Sequence, residues 1–583
     1  MGSPRVSRKV FVALAALATF AVAPIAAASS SAAQPGAAPR LGAAGSVSQG
    51  SVSQGSAAQL KRGDCARSSN WCTEVDDSEL VFGEGKYVGH DEPSVLYYSN
   101  KPGAGNDNTY YLRLPKDPPA QPKQDGSGST WNFQLHPAFW FGMAMCDDQS
   151  APGPASGNAA CKADSDSNIY NDSNPASPHY IGKHPGSAFM EMQFYPPGWT
   201  AWPAGNSCDA TKWCAALNID SLSIDYNKGL QNNAACLNSA GTEPVNFAYI
   251  TKNGRSTAPA DPTDNNRFNL DPKRDLFMSS GDVLRVHLFD TKAGFKVEIT
   301  DVSAGSRGSM TASVPNGFAQ VTFDPAATSC QTVPSAYHPM YSTSSEQTRV
   351  PWAAHSYNTA YSDETGHFEY CAAADPTTGN CAQSAGTEPL DLDDNGCFNP
   401  SDSSLVRIGG CLGNVPTDDD YDGVPYQKVW PGTGSPSVDR ATKPQPILFT
   451  SPLIKGSQQF DRVAFETDLP RIEDNGTQAN PCNRTTGANC VNPPPGANFY
   501  PMFTTTGAGG ACVWQEGGAN IPGTRNTFGG SSATEFGGLL TNVYPGLNNN
   551  PRFVINDFRQ VLPNNPCTLL GSNNASALNS AAH

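Results

Sequence analysis

One short segment of the sequence places a carboxylate and an amide on what would be a single face of a β-strand. In GSAFMEMQFYPPGW, the residues Phe189, Glu191, Gln193 and Tyr195 stand at every second position. Alternate residues of a strand share a face, so these side chains would line one surface. Aromatic rings stack on sugar faces, and a carboxylate beside them can act as an acid, a base or a nucleophile. We therefore predict that Glu191 is catalytic. The residues predicted to contact a carbohydrate here are Gln193, Tyr195 and the nearby Trp199.

A glycoside hydrolase needs a second carboxyl group, and the sequence offers two further candidates. Asp225 follows the segment SLSI, and Glu298 faces away from the predicted core on the strand FKVEIT. Retaining hydrolases hold the two carboxyls about 5–5.5 Å apart and inverting ones about 6.5–9.5 Å apart. The sequence leaves open which pair meets either distance. We predict Asp225 and Glu298 as catalytic partners of Glu191, and His287 and His355 as substrate contacts.

The segment around Glu191 is loosely similar to the E-x-D-x-x-E strand of laminarinase-like enzymes with the concanavalin-like fold. Gln193 stands where that motif has Asp, and Pro196 where it has the second Glu, so the resemblance supplies no catalytic pair. One alternative is a structural role, in which Glu191 is buried and bonded to neighbouring backbone. Another is a glutamic peptidase, which pairs a Gln with a Glu on a β-sandwich, because Gln193 and Glu298 are both present.

Two acidic loops in the middle of the chain have the spacing of calcium ligands. DLDDNGCFNPSD, which begins at Asp391, has oxygen-bearing side chains at loop positions 1, 3, 5 and 12 and a Gly at position 6, and DDDYDG repeats the first part of this pattern from Asp418. Alternate oxygens converge on one point while the Gly permits a sharp turn. These loops resemble those of dockerin modules and thrombospondin type 3 repeats; the alternative is two solvated acidic turns. We predict at least one structural Ca²⁺, with ligands drawn from Asp391, Asp393, Asn395, Asp402, Asp418, Asp420 and Asp422.

The elements that must position these residues read as short antiparallel strands. In VLRVHLF, Leu284, Val286 and Leu288 alternate with Arg285 and His287. This alternation is typical of half-buried strands, and many such runs separated by turns predict an all-β fold. We expect a β-sandwich, of jelly-roll and concanavalin-like type, with loop-rich additions and a possible second β domain. The predicted division is 1–28 signal peptide, 29–60 flexible linker, 61–375 β-sandwich, 376–440 acidic calcium-loop segment, 441–570 C-terminal β region and 571–583 tail.

Composition restricts the class of protein. The chain has 583 residues with 37 Lys and Arg against 53 Asp and Glu, for a formal net charge of -16. A chain this acidic is a poor candidate for binding nucleic acid or an anionic membrane. The 55 Gly and 49 Pro residues indicate many turns, and the charged fraction of 15% argues against a coiled coil or helical repeat.

The N-terminus has the pattern of an export signal. Arg5, Arg8 and Lys9 precede an apolar run from Val10 to Ala28, which ends in small residues. This order of a basic start, an apolar middle and a small-residue end predicts a secretory signal peptide. The mature protein is therefore expected to be secreted and extracellular, with no membrane association after cleavage.

Cysteine usage agrees with an oxidising compartment. All 16 Cys residues follow the apolar run, and an even number permits complete pairing. No C-x-x-C pair is present, which argues against a zinc ribbon. Several close neighbours are expected to form local disulfides: Cys65 with Cys72, Cys146 with Cys161, Cys208 with Cys214, Cys371 with Cys381, Cys397 with Cys411, and Cys482 with Cys490.

Several segments resemble a secreted protein family of actinobacteria and filamentous fungi. These segments are HDEPSVLYYSN, FMEMQFYPPGW, HPMYSTSSEQTRVPWAAHSYN and IPGTRNTFGG. The resemblance covers most of the mature chain and brings no activity with it. The residues themselves favour a calcium-stabilised protein that acts on extracellular polysaccharide as a glycoside hydrolase. The alternative is a non-catalytic carbohydrate-binding or cell-surface protein, which would need only an aromatic platform.

The acidic loops generate a prediction about calcium. Like charges this close repel one another unless a cation or protons intervene. Binding adds stability as RT ln(1 + [L]/Kd), which is about 2.7 kcal/mol at a hundredfold excess of calcium over Kd. We expect EDTA to lower the melting temperature, and Asp393→Ala to remove much of the calcium response. Identical melting curves in EDTA and in millimolar calcium, with no heat of binding by calorimetry, would contradict this prediction.

Overall fold

A computed structural model gives the structure of the chain. It describes residues 94–99, 104–116, 138–151, 159–170, 174–180, 187–195, 211–225, 229–340, 359–364, 447–467, 503–506, 512–516 and 565–569, together with the remaining strands named below and a few single positions. Every structural statement that follows concerns these residues.

Nearly all of the regular structure is β. The first strands in chain order are β1 (Cys72–Val75), β2 (Ser94–Tyr98), β3 (Asp107–Arg113), β4 (Ala138–Cys146), β5 (Ser187–Tyr195), β6 (Lys212–Asp220), β7 (Ile224–Asp225), β8 (Leu230–Gln231), β9 (Val245–Tyr249), β10 (Met278–Ser279), β11 (Val283–Phe289), β12 (Lys296–Asp301), β13 (Arg307–Thr311) and β14 (Ala319–Val321). The later strands are β15 (Thr332–Pro334), β16 (Ala360–Glu364), β17 (Cys371–Ala374), β18 (Cys381–Ser384), β19 (Leu448–Phe449), β20 (Leu453–Ile454), β21 (Gln458–Gln459), β22 (Arg462–Thr467), β23 (Glu473–Asp474), β24 (Cys490–Val491), β25 (Phe503–Thr506), β26 (Val513–Glu516), β27 (Gly538–Pro545) and β28 (Pro551–Leu562).

Two large antiparallel sheets contain most of these strands. The large sheet has 11 strands in the order β1-β27-β28-β22-β2-β16-β4-β5-β6-β10, with β9 also paired to β6. The second sheet has 9 strands in the order β13-β12-β11-β3-β19-β26-β25, with β20 paired to both β3 and β21. The other pairs, β14 with β15, β17 with β18, β23 with β24 and β7 with β8, are separate two-stranded sheets.

The strands form where apolar residues alternate with polar ones. In β11, Leu284, Val286 and Leu288 are buried, whereas Arg285 and His287 between them are partly exposed. Successive side chains of a strand point to opposite faces, so this pattern gives one apolar face and one polar face. The alternation that the sequence shows is therefore confirmed as half-buried antiparallel strand.

The main core lies between the two large sheets. Tyr110 of β3 packs against Phe141 of β4 with ring centroids 3.9 Å apart. Beside this pair, Tyr361 of β16, the register partner of Phe141, stacks on Phe449 of β19, also at 3.9 Å. Each pair joins one sheet to the other, so the apolar faces of the sheets face each other. The predicted all-β sandwich is confirmed.

The C-terminal strands extend both sheets. In the large sheet, β22 pairs with β2 on one side and β28 on the other, and β28 pairs with β27. In the second sheet, β19 pairs with β3 on one side and β26 on the other, and β26 pairs with β25. These C-terminal strands therefore belong to the same two sheets as the earlier strands.

One short α-helix, α1 (Ala234–Ala240), lies between β8 and β9. The side chain of Asn233 accepts a hydrogen bond from the backbone N–H of Cys236 at 3.0 Å, which satisfies a donor that the first turn leaves free. Gly241 follows the helix with a φ of 83°, a conformation that suits glycine. Within the described residues, no helix is long and apolar enough to span a membrane.

Three disulfides connect described residues. Cys146–Cys161 has a sequence separation of 15 and is one of the predicted local pairs. Cys236–Cys330 and Cys512–Cys567 have separations of 94 and 55, and sequence reasoning missed both because spacing alone does not reveal which distant strands meet. Cys214 is also disulfide-bonded. Each of the other predicted pairs has at least one cysteine outside the described side chains.

The difference in loop length predicts unequal contributions from two of these disulfides. In the chain-entropy description, a bridge that closes about 15 residues contributes about 3 kcal/mol, and one that closes about 100 contributes about 4.7 kcal/mol. The separations are 15 for Cys146–Cys161 and 94 for Cys236–Cys330. Replacing both Cys236 and Cys330 by Ser should therefore lower the free energy of unfolding by about 1.5 kcal/mol more than the matched change at Cys146 and Cys161. Chemical denaturation of the two double variants tests this, and the reverse order would contradict it.

Candidate functional site

The outer face of the large sheet, which points away from the second sheet, carries the predicted strand residues. Met190, Met192 and Phe194 of β5 belong to the core between the sheets. The residues between them therefore point to the outer face. Glu191 is 7% exposed there, and the other outer-face side chains of β5 are Phe189, Gln193 and Tyr195.

A chain of hydrogen bonds runs along this face and ends on the Glu191 carboxylate. Asn218 of β6 donates from Nδ2 to the Tyr195 Oη at 3.1 Å. The Tyr195 hydroxyl donates to Gln193 Oε1. Gln193 then donates from Nε2 to Glu191 Oε2 at 2.5 Å. Because a hydrogen bond donated to a carboxylate favours its charged form, this chain holds Glu191 as an oriented acceptor.

Strand register places a second carboxyl group beside Glu191. Glu191 is paired directly with Asn218 of β6, and Asp220 lies two residues further along the same strand. Alternation puts Asp220 on the outer face as well, where it is 1% exposed. Diagonal neighbours of this kind are about 7–8 Å apart in an antiparallel sheet, within the reach of longer side chains. Burial raises the pKa of Tyr195 well above its usual value, and Coulombic contributions from Tyr249, Glu191 and Asp220 raise it further.

Aromatic rings form one side of this face. Tyr195 packs with Phe247 of β9 at a centroid distance of 6.5 Å. Phe247 in turn contacts Tyr249 at 4.8 Å and Phe268 at 4.9 Å. These four residues belong to one buried cluster on the β6 and β9 side of Glu191.

A second aromatic cluster forms the opposite side. It contains Trp140 of β4, Phe189 of β5, Tyr170 and Met340. The Phe189 ring lies over Gly142, because a Cβ added at that glycine would be 2.2 Å from Phe189 Cζ. Only glycine fits at this position, which is the register partner of Glu191 on β4.

The chain leaves and rejoins the large sheet beside this second cluster. The backbone N–H of Met340 donates to the carbonyl of Ala144 in β4 at 2.9 Å. Ala360 of β16 pairs with Gly142 of the same strand. Met340 and Ala360, which flank residues 341–358, therefore both lie next to β4. The predicted substrate contact His355 is within that segment and outside the described residues.

Glu298 and His287 lie on the other side of the sandwich. They are register partners on β12 and β11, and their strand neighbours point into the core between the sheets. His287 Nε2 contacts Asp107 Oδ1 at 2.8 Å, and Glu298 forms an ion pair with Lys296. Both sheets separate these residues from Glu191. The structure therefore does not bring Glu298 to Glu191 or to Gln193, which removes the geometric basis for both predicted pairs.

The remaining predicted site residues fall elsewhere. Asp225 is buried in the two-stranded sheet of β7 and β8, which is separate from the sheet that carries Glu191. The predicted residues outside the described part of the chain are Trp199, His355 and the calcium set Asp391, Asp393, Asn395, Asp402, Asp418, Asp420 and Asp422. Among the described residues, no group of three or more His, Cys, Asp or Glu side chains is arranged to hold a metal ion.

Asp147 is a buried carboxyl group with a structural role. Burial raises its pKa to about 6 from an ordinary value of 3.8. Its Oδ1 accepts hydrogen bonds from the backbone N–H groups of Gln149 at 2.9 Å and Ser150 at 3.0 Å, which close the turn after β4. A pKa near 6 suits a general acid. Both hydrogen bonds hold this carboxyl group within the turn, so we assign it a structural role.

Sequence reasoning missed Asn218 and Asp220. Both stand in the segment LNIDSLSIDY, where they alternate with Leu217 and Ile219 of the core. The same period-two pattern that singled out Glu191 was therefore present in β6. What the sequence lacked was the pairing of β5 with β6, which places the polar residues of both strands on one face.

The comparisons with known proteins add no relative. No protein-family model matches the chain, and no match was found among curated proteins or among solved structures.

The buried Asp147 predicts a pH dependence of stability. Its folded pKa of about 6 lies above the ordinary 3.8, so the folded state binds this proton more tightly. The stabilisation from the bound proton is complete below pH 4 and is lost as the pH rises through 6. Asp147→Asn keeps the Oδ1 acceptor and removes the charge. We expect it to raise the free energy of unfolding at pH 8 by on the order of 2–3 kcal/mol, with little change at pH 4.

Asp164 provides the matched control for this experiment. Its Oδ1 also accepts a backbone N–H two residues on, from Asp166 at 3.0 Å, but the side chain is exposed. Asp164→Asn therefore makes the same chemical change at an exposed carboxyl group, and it shows how much of any effect comes from the substitution itself. Denaturant unfolding at both pH values measures the difference, and equal profiles for the Asp147→Asn and wild-type proteins would contradict the prediction.

Proposed function

We propose that the protein is a secreted glycoside hydrolase that acts on extracellular polysaccharide, with Glu191 and Asp220 as its catalytic carboxyl groups. One observation carries the proposal. Two carboxyl side chains lie on adjacent strands and on the same face of the large sheet, with aromatic clusters on both sides. Glycoside hydrolysis needs this combination, because one carboxyl must protonate the leaving oxygen while another acts as nucleophile or base.

The hydrogen bonds support a division of roles between the two carboxyls. Gln193 donates to Glu191 and orients its carboxyl group, as the role of nucleophile or base requires. Asp220 is then the residue that delivers a proton to the departing sugar oxygen. Their diagonal placement across β5 and β6 spaces the two residues by about 7–8 Å, which is compatible with the roughly 5–9.5 Å between carboxyls that hydrolases use.

The aromatic clusters supply the surface for sugar binding. Tyr195, Phe247 and Tyr249 stand on one side of Glu191, and Trp140 and Phe189 on the other. Rings in these positions would stack against sugar units on both sides of the bond to be cleaved. The same positions would fix the orientation of the chain relative to the two carboxyls, which is the main contribution of binding to catalysis.

Export and calcium binding complete the proposal. Three disulfides between described residues support a protein that folds in an oxidising compartment. Together with the N-terminal apolar run, they favour a secreted protein. The acidic loops from Asp391 and Asp418 are proposed to bind structural Ca²⁺, since exported proteins meet a calcium-rich medium.

A non-catalytic carbohydrate-binding protein is the second candidate. The observation that favours it is the low exposure of Glu191, at 7%, and of Gln193, at 1%. A carboxylate held this deeply by an amide can serve to fix neighbouring aromatic rings without touching substrate. Hydrolysis separates the two candidates, because the binding protein would retain sugar chains without cleaving them.

Substitution of the two carboxyls tests the catalytic proposal. Glu191→Gln and Asp220→Asn should each lower reducing-sugar release by about 10²–10⁴-fold, because general acid–base groups contribute on that scale. Release is measured on a panel of soluble and insoluble polysaccharides. Glu298→Gln is the matched control, since it changes the same group on the opposite side of the sandwich and should leave release unchanged. Equal release by the wild-type and Glu191→Gln proteins would exclude a catalytic Glu191.

A further inference from the structure

Two buried asparagines on adjacent strands make the same contact with a tyrosine hydroxyl. Asn218 of β6 donates from Nδ2 to Tyr195 Oη at 3.1 Å. Asn246 of β9 donates from Nδ2 to Tyr337 Oη, also at 3.1 Å. Asn218 is 1% exposed and Asn246 is 0% exposed. The two side chains are therefore a matched pair in residue type, burial and donor contact.

The two asparagines differ at the amide oxygen. Asn246 Oδ1 accepts a hydrogen bond from the backbone N–H of Ala319 at 2.9 Å. Asn218 Oδ1 is fully buried and has no hydrogen-bond partner. A buried acceptor without a donor is unfavourable, and native proteins retain such a group mainly where a water, an ion or a ligand completes it.

The orientation of the Asn218 amide is fixed by its neighbours. Tyr195 uses its hydroxyl proton on Gln193, so its oxygen can only accept from Asn218. Reversing the amide would bring two acceptors together. Nδ2 must therefore face Tyr195, and Oδ1 is a preset acceptor beside Glu191, the direct register partner of Asn218.

We propose that Asn218 Oδ1 accepts a hydrogen bond from a hydroxyl group of the bound sugar, and that Asn218 thereby selects substrates with a free hydroxyl at the unit next to Glu191. This inference rests on the proposed function, because it places the sugar over the Glu191 carboxylate. A site that presents a buried acceptor rejects an analogue that lacks the matching donor, since the acceptor is then left unpaired.

Binding of defined oligosaccharides tests the inference. The probes are cellotetraose, laminaritetraose, xylotetraose and chitotetraose, measured by calorimetry in a Glu191→Gln background so that they are not cleaved. Asn218→Leu removes the acceptor at similar side-chain volume. We expect its affinity for the best probe to fall by about tenfold or more, the scale of one hydrogen bond. Asn218→Ala serves as a second variant, with the same expected loss.

Melting temperature separates recognition from a structural role. Asn218→Leu removes one satisfied hydrogen bond, the donation from Nδ2 to Tyr195 Oη, together with an acceptor that has no partner, so its melting temperature should fall less than that of Asn246→Leu. Asn246→Leu removes two satisfied hydrogen bonds and should lower the melting temperature, while the folded fraction keeps the parent affinity. A structural role for Asn218 predicts instead that both variants lose stability alike, and that result would overturn the inference.

Each binding outcome decides a different claim. Loss of affinity on Asn218→Leu, with hydrolysis by the wild-type protein, supports both the inference and the proposed function. Loss of affinity without hydrolysis by the wild type supports Asn218 as a recognition residue and removes the hydrolase. Hydrolysis with unchanged affinity of the Asn218 variants removes the inference alone. If the parent protein binds none of the probes, both the inference and the proposed function are overturned. A buried water is then the partner of Asn218 Oδ1.

Discussion

The packing of the two sheets through their apolar faces determines the position of every other side chain described above. Tyr110 against Phe141 and Tyr361 against Phe449 bring the sheets into direct ring contact. Successive side chains of a strand point to opposite faces, so a residue that neighbours a core residue must point to the outer face of its sheet. Glu191 faces outward for this reason, since Met190 and Met192 are both committed to the core.

The outer face of the large sheet is unusual because its polar side chains are also buried. Gln193, Asn218 and Asp220 are each 1% exposed, although each carries groups that water would otherwise satisfy. Burying such groups is unfavourable unless they are hydrogen-bonded, and the chain from Asn218 through Tyr195 and Gln193 to Glu191 supplies those bonds. The second sheet behaves in the ordinary way, with His287 and Glu298 partly solvated on its reverse face. The two reverse faces therefore have different chemistry despite similar strand patterns.

Sequence reasoning reached the parts of this structure that depend on neighbours in the chain. Alternation identified β11 and the shared face of Glu191 and Gln193, and close spacing identified the Cys146–Cys161 disulfide. It failed where the outcome depends on which strands pair. Glu298 and Asp220 both alternate with core residues, and only sheet membership places Asp220 beside Glu191 and Glu298 on the far side. The Cys236–Cys330 disulfide was missed for the same reason, since pairing between distant segments leaves no local signal.

The strand order has a consequence for how the chain folds. β2 pairs with β22 and β3 pairs with β19, so these early strands complete their pairing only when much later segments arrive. Ser99 and Asp461, joined by a hydrogen bond at 3.1 Å, are 362 positions apart. A nascent chain emerging from its N-terminus would expose β2 and β3 as unpaired edges until the C-terminal strands follow, and such edges recruit other chains. Non-local pairing of this kind also folds slowly. A chain built this way depends on its early strands being kept away from other chains until its last strands are available.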